Sequence, residues 1–375
     1  MVLLGYMGSG KSYALGVLIE NALLKADGIT RNDRPLSVVA FNYRRNPDAR
    51  FEYGSFLEPN DTFEDVGRLR HWYGAKPASV EQVNVFAFKP ELHRRQKEYH
   101  NMKKRPILFR SDELRVDHWM ILMKPPTASS EYMEIIRDII QNLFYEDRLT
   151  FKNLEQHIFT DERLSPAQRR RAQNRLSFAQ KWISDDRDYE WQDVLQPGAM
   201  NVMDLRAQAM SQEDALRICL VVTDLVRRTK NGVNKMIVFD EAHEYLESKH
   251  LVPELENAIT QIRHDGLSFI LASQYPDRIP DRLFKYLSTR VIFKLQDSSA
   301  IEYIRRAAPN LAALSPQAIA NLELEAGRCF IQSDDEVSHR ILRTPQPLKI
   351  RPRCSKHGGK TLLHAGTSSP SVTGT

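Results

Sequence analysis

Cysteine is scarce. Cys219, Cys329 and Cys354 are the only three in 375 residues, and none forms a Cys-x-x-Cys pair. That excludes a disulfide framework and a cysteine-built zinc site, and it suits a reducing cytoplasm. Long apolar runs are missing too. With no stretch of eighteen apolar residues and a mean hydropathy of −0.47, no membrane span is expected. Gly5 to Ser12 interrupts any apolar core near the start, so nothing there reads as a secretory signal. There is no internal repeat. Acid is absent from the last 39 residues, which carry Arg340, Arg343, Lys349, Arg351, Arg353, Lys356 and Lys360. Those seven charges exceed the whole-chain net of +5, so the rest of the chain is slightly acidic. Such a tail suits either nucleic acid or a solvated, disordered end.

What remains is an ordinary globular composition, 42% hydrophobic and 27% charged, and a length of two domains or one with an insertion. Residues 2–4 read as a short strand, 11–26 as a helix with apolar residues at helical spacing, and 37–43 as a buried strand. The three-residue first strand is shorter than usual. Either the fold tolerates it or the start lies inside a longer reading frame. Residues 44–196 are rich in charge and helix formers, apart from a candidate strand at 83–88, and read as a mainly helical insertion. Strands are then expected at 199–205, 236–239, 268–272 and 289–295, with helices at 212–229, 254–263, 298–308 and 316–322. Residues 328–332 and 338–342 read as a closing hairpin. Alternating strands and helices predict a mostly parallel sheet covered on both faces. The expected division is a core of 1–43 and 197–345, an insertion of 44–196, and a basic disordered tail of 346–375.

Gly5-Tyr6-Met7-Gly8-Ser9-Gly10-Lys11-Ser12 fits G-x-x-x-x-G-K-[ST] between an apolar strand and an amphipathic helix. Gly5, Gly8 and Gly10 let the backbone bend so that N–H groups, including that of Ser9, point at phosphate oxygens. The helix start offers its positive end to the same anion. Lys11 would reach the β- and γ-phosphates of ATP, and the Ser12 hydroxyl would ligate Mg²⁺. Met236-Ile237-Val238-Phe239 runs into Asp240-Glu241. After a phosphate loop, this is where Asp240 would hold Mg²⁺ and Glu241 would polarise the attacking water. Asp240-Glu241-Ala242-His243 also spells the box of a large helicase group, whose Ser-Ala-Thr element is absent. His243-Glu244 is not a zinc-protease motif, because Glu247 stands where the second histidine belongs. A further apolar strand ends on Ser273-Gln274, and Gln274 could bond the γ-phosphate or the water.

These elements in this order resemble the HerA–FtsK group of P-loop ATPases, nearest to HerA. The resemblance continues through Ile262-Arg263-His264-Asp265-Gly266-Leu267, through Leu271-Ala272-Ser273-Gln274-Tyr275-Pro276 and through Ser288-Thr289-Arg290-Val291-Ile292-Phe293. It implies a RecA-like fold and a hexameric ring that hydrolyses ATP and pumps double-stranded DNA. It also implies a neighbour's arginine at the γ-phosphate, matched here by Arg290 or Arg263. A partner nuclease is a further implication. Three departures stand out. No N-terminal β-barrel precedes Gly5, Asn42 stands where relatives often carry aspartate, and the tail has no counterpart. Two alternatives remain beside a HerA-type motor. One is a nucleotide-binding subunit that switches a nuclease or defence effector without translocating. The other is a packaging or conjugation motor acting at a capsid or membrane.

Overall fold

A computed structural model describes residues 1–30, 32–124, 131–246, 248, 251–262, 265–322, 327–335 and 340–358. Among them ten strands form one sheet. They are β1 (Val2–Leu4), β2 (Ser37–Asn42), β3 (Gln82–Ala87), β4 (Lys103–Pro106), β5 (Ala199–Asp204), β6 (Lys235–Asp240), β7 (Leu267–Ser273), β8 (Thr289–Ile292), β9 (Arg328–Ser333) and β10 (Gln346–Lys349). Their order across the sheet is β10-β9-β8-β1-β7-β6-β2-β5-β3-β4. Every pair from β8 to β4 is parallel, and β9 and β10 add antiparallel pairs at one edge.

The strands are apolar at consecutive positions because both faces are covered. Leu3, Val38 and Ala40 pack on one face against α1 (Lys11–Leu23). Val2, Leu4, Val39 and Phe41 pack on the other, against the helices that include Gln212–Arg228. Three residues suffice for β1 because it lies between β7 and β8 with every side chain buried. Three helices start where a side-chain oxygen relieves a free N–H group: Thr150, Ser165 and Ser211 each accept from the third residue on. No helix among the described residues is long and apolar enough to cross a membrane.

Three expectations need correcting. Residues 44–196 are mainly helical with a strand near 83–88, as expected, but they are not separate from the core, because that strand, β3, and β4 extend the main sheet beyond β5. Val83, Val85 and Phe86 are buried, and a run this apolar is stable only inside a covered sheet. The helices Glu131–Tyr145, Phe151–Thr160 and Pro166–Gln180 do pack together on one face. The closing hairpin pairs β9 with β10, whereas Arg340–Arg343 is a single tight turn. Lastly, disorder does not begin at residue 346. Past β10 the chain folds back onto α1, where Arg353, Cys354 and Ser355 are buried. Arg351, Arg353 and Lys356 are spent as counterions for Glu20, Glu58 and Asp61. Residues 359–375 lie outside the described residues.

Candidate nucleotide site

Parallel strands end at one edge of the sheet, and the chain's candidate residues sit there. β1 runs into the loop of residues 5–10, β6 ends on Asp240, and β7 leads into Gln274. The order β1-β7-β6-β2 means that α1 carries the chain from β1 across two strands to β2. This crossover opens a crevice beyond the carboxyl ends of the strands.

The loop is shaped by its glycines. A Cβ on Gly5 would lie 2.5 Å from Ser9 Oγ and 2.6 Å from Phe293 Cβ. Gly8 and Gly10 have φ of 82° and 95°, which side-chain-bearing residues avoid. Gly10 is the residue before α1, so the free N–H groups of the first helical turn face the loop. Ser12 is exposed on that turn.

Lys11 is buried, and its Nζ lies 2.9 Å from Glu241 Oε1. Gln274 Nε2 donates to the same oxygen at 2.7 Å. Glu241 has φ 48° and ψ 51°. A non-glycine residue held there costs on the order of 1 kcal/mol, and such strain gathers at functional sites. The turn follows directly on β6, so neighbouring carboxylates take up different partners: Glu241 meets Lys11, while Asp240 meets Arg44. Arg44 Nη2 is 2.9 Å from Asp240 Oδ2, and Tyr53 donates to that oxygen at 3.2 Å. Burial would raise the Asp240 carboxyl, but Arg44 and then Lys11 outweigh it and hold it below the usual range. Burial also pushes the Tyr53 hydroxyl up, and Asp240 adds to that. The His243 imidazole, beside Glu241, is lowered by burial against the pull of Glu241 and Glu244.

Three buried polar atoms here have no hydrogen-bond partner: Ser9 Oγ, Asp240 Oδ1 and Glu241 Oε2. Native interiors rarely tolerate this, and clustered orphans of this kind mark a place for a missing ligand. A hydroxyl beside inward-turned N–H groups suits phosphate. A spare carboxylate oxygen in a cleft that Ser12 also lines suits a hard divalent ion such as Mg²⁺. The donor set fits both groups.

Gly5, Gly8, Ser9, Gly10, Lys11, Ser12, Asp240, Glu241 and Gln274 are therefore brought together. Arg290 is not. It lies on β8 opposite Val2, two residues before the level of Leu4, from which the loop departs. Its buried guanidinium bonds Gln332, Asp334 and the Phe284 carbonyl of its own chain. Reaching a neighbour's phosphate would require giving up these three partners. Arg263 lies outside the described residues. Sequence reading missed Arg44 and Tyr53 because a boundary was drawn at Tyr43. The charged pair Arg44-Arg45 at a strand end was the available signal.

No protein-family model matches the chain, and no curated protein matches it by sequence. Solved structures do match. The plasmid coupling protein TrwB, in complex with a non-hydrolysable ATP analogue, gives a TM-score of 0.56 at 13% identity, covering 95% of this chain and 86% of TrwB. VirB4 of Thermoanaerobacter pseudethanolicus gives 0.53 at 12% identity, covering 93% of this chain and 88% of VirB4. At such identities the likeness is one of architecture. With its phosphate loop at the end of β1 and its acids at the end of β6, the chain has a RecA-like P-loop fold, the architecture it shares with TrwB and VirB4.

Proposed function

We propose that this chain is an ATP-hydrolysing motor that moves double-stranded DNA, working as a ring of identical subunits. One observation carries the catalytic part. Lys11, Glu241 and Gln274, up to 263 positions apart in sequence, converge on a single carboxylate oxygen beside Asp240. In this reading Lys11 leaves Glu241 for the β- and γ-phosphates. Glu241 is then free to orient and polarise water, and Gln274 follows the state of the γ-phosphate. Asp240 and Ser12 would hold Mg²⁺, which neutralises the phosphate charge. The protein's own share is positioning and electrostatics.

The DNA part is supported by the resemblance to HerA-type motors and by the fold shared with TrwB, a conjugative coupling protein. The ring, its trans-acting arginine (Arg290 or Arg263), a partner nuclease and a cytoplasmic site of action rest on the resemblance alone. The test is steady-state ATP hydrolysis with and without linear duplex DNA at moderate salt, with Glu241→Gln as the blank. Stimulation by duplex is expected. Hydrolysis that duplex leaves unchanged overturns the DNA part, and no hydrolysis above the blank overturns the catalytic part.

A further inference from the structure

Two cations and two carboxylates meet at the ends of β1, β2 and β6. Lys11 belongs to the phosphate loop, and its exchange of Glu241 for phosphate follows from the reading above. Arg44 has no role in that reading. Yet it follows β2 by two residues, it lines the same cleft as Ser12 and Asp240, and its Nη2 lies 2.9 Å from Asp240 Oδ2. Its other terminal nitrogen, Nη1, donates to the carbonyl of Tyr43 at 3.2 Å. The side chain is a quarter exposed, so it has room to turn. The second oxygen of Asp240 is buried and unpartnered. Asp240 is therefore neutralised on one side and left open on the other.

A divalent ion drawn to the open oxygen would stand next to the guanidinium. Like charges at that separation repel strongly in a cleft with little water. Arg44 then has to leave Asp240. Its backbone, anchored at the end of β2, keeps it in the cleft, where an incoming phosphate chain supplies new acceptors. Guanidinium suits them because its fork matches phosphate oxygens. Resting on the nucleotide reading above, we propose that Arg44 is the resident counterion of Asp240, displaced by the divalent cation when nucleotide binds, and that it then takes a phosphate oxygen in cis.

The test is a binding titration of a fluorescent ATP analogue to the full chain, from metal-free buffer through a series of Mg²⁺ concentrations. In Arg44→Met the Mg²⁺ midpoint is expected to fall about tenfold, because the ion no longer competes. Metal-free binding is expected to weaken about tenfold, because Asp240 then faces the phosphates without its counterion. Arg44→Lys should restore both in part. Arg45→Met removes a neighbouring charge that pairs with Glu244 and not with Asp240, and should move the midpoint less than twofold. A melting curve checks folding of each variant. An unchanged midpoint in folded Arg44→Met overturns the proposal, as does an equal shift in Arg45→Met. If the methionine variant does not fold, Arg44→Lys carries the test, and a midpoint identical to that of the parent overturns it. Lys11→Ala serves as the separate control. It should lose binding at every Mg²⁺ concentration, and if it binds normally the phosphate reading fails whatever Arg44 does.

Discussion

The chain buries acids at both ends of α1, and treats them in opposite ways. Glu20, in the last turns of the helix, is fully buried, and each of its oxygens is occupied. Oε1 accepts from Arg353 Nε, Ser355 N and Ser355 Oγ at 2.6–3.1 Å, and Oε2 accepts from Cys354 N and Arg351 Nη1. Beside the other end of the helix, Asp240 and Glu241 are also buried, but each keeps one oxygen without a hydrogen bond. A carboxylate whose acceptor sites are all filled is a lock. It holds the C-terminal segment onto α1, and so fixes the helix that supports the phosphate loop. A buried carboxylate with a vacant oxygen is unfavourable until something else arrives. The difference separates structure from function without reference to any relative.

The largest effect that would sharpen this comparison is chemical. Glu241→Gln keeps the shape and removes the proposed base, so hydrolysis should fall by about 10²- to 10⁴-fold. Nucleotide binding should survive, and the melting temperature should hold or rise. A variant that melts much earlier would mean that Glu241 is a lock as well.

Glu20→Gln should give the reverse pattern. It leaves Arg351 and Arg353 buried beside a neutral amide whose NH₂ faces their donors. Losing one partner of such a cluster costs about 3 kcal/mol, read as a lower midpoint in urea unfolding. Nucleotide affinity measured well below that midpoint should change little. A loss confined to nucleotide binding would break the comparison.

The sequence is legible where one short segment contains all of its own reasons. The loop of residues 5–12 needs glycines, a lysine and a serine at fixed spacing, and each states its purpose. The apolar run into Asp240-Glu241 was legible in the same way. What could not be read was pairing between distant segments. Nothing around residues 82–87 announces that they pair with β5, more than a hundred residues later. A run of prolines and basic residues near 345–358 looks like solvated tail by composition. It is ordered because one buried acid on α1 needs its charges. Arg44 escaped for a related reason. Its meaning depends on Asp240, 196 positions away.

A smaller effect probes the lock from its other side. A Cβ on Gly16 would lie 2.6 Å from Arg353 Nη1 and 2.7 Å from Cζ. That guanidinium is not free to yield, since Glu20 and Ser355 hold it 4.3 Å over the Phe56 ring. Alanine gains about 1 kcal/mol in helix propensity but displaces charged hydrogen bonds worth more. Gly16→Ala should therefore destabilise by about 1 kcal/mol. In an Arg353→Ala background the same change should become stabilising, and a double-mutant cycle measures the reversal. If the sign stays the same in both backgrounds, Arg353 is not what Gly16 makes room for.

The smallest effect is a slope. His357 packs edge-on against Tyr13, with ring centres 5.2 Å apart. Burial, and then Arg353 and Arg50, push its imidazole down to about 4. The sign follows from linkage. In the unfolded chain the ring takes up a proton near pH 6.5, whereas in the fold it does so only near 4. Its contribution is complete above pH 6.5 and drains away as the pH falls towards 4. His243, lowered by burial at the other end of the helix, drains in the same direction. Unfolding free energy measured from pH 7 to 4.5 should therefore decline on the acid side. His357→Phe should flatten that decline by something under 1.4 kcal/mol per pH unit, the ceiling for one proton. His243→Gln should flatten it separately, and the two changes should add because the rings share no partner. Since the His357 ring is held within the C-terminal lock and the His243 ring beside Glu241, nucleotide should alter the His243 share and leave the His357 share untouched. A nucleotide effect on both would mean that lock and site are one coupled unit.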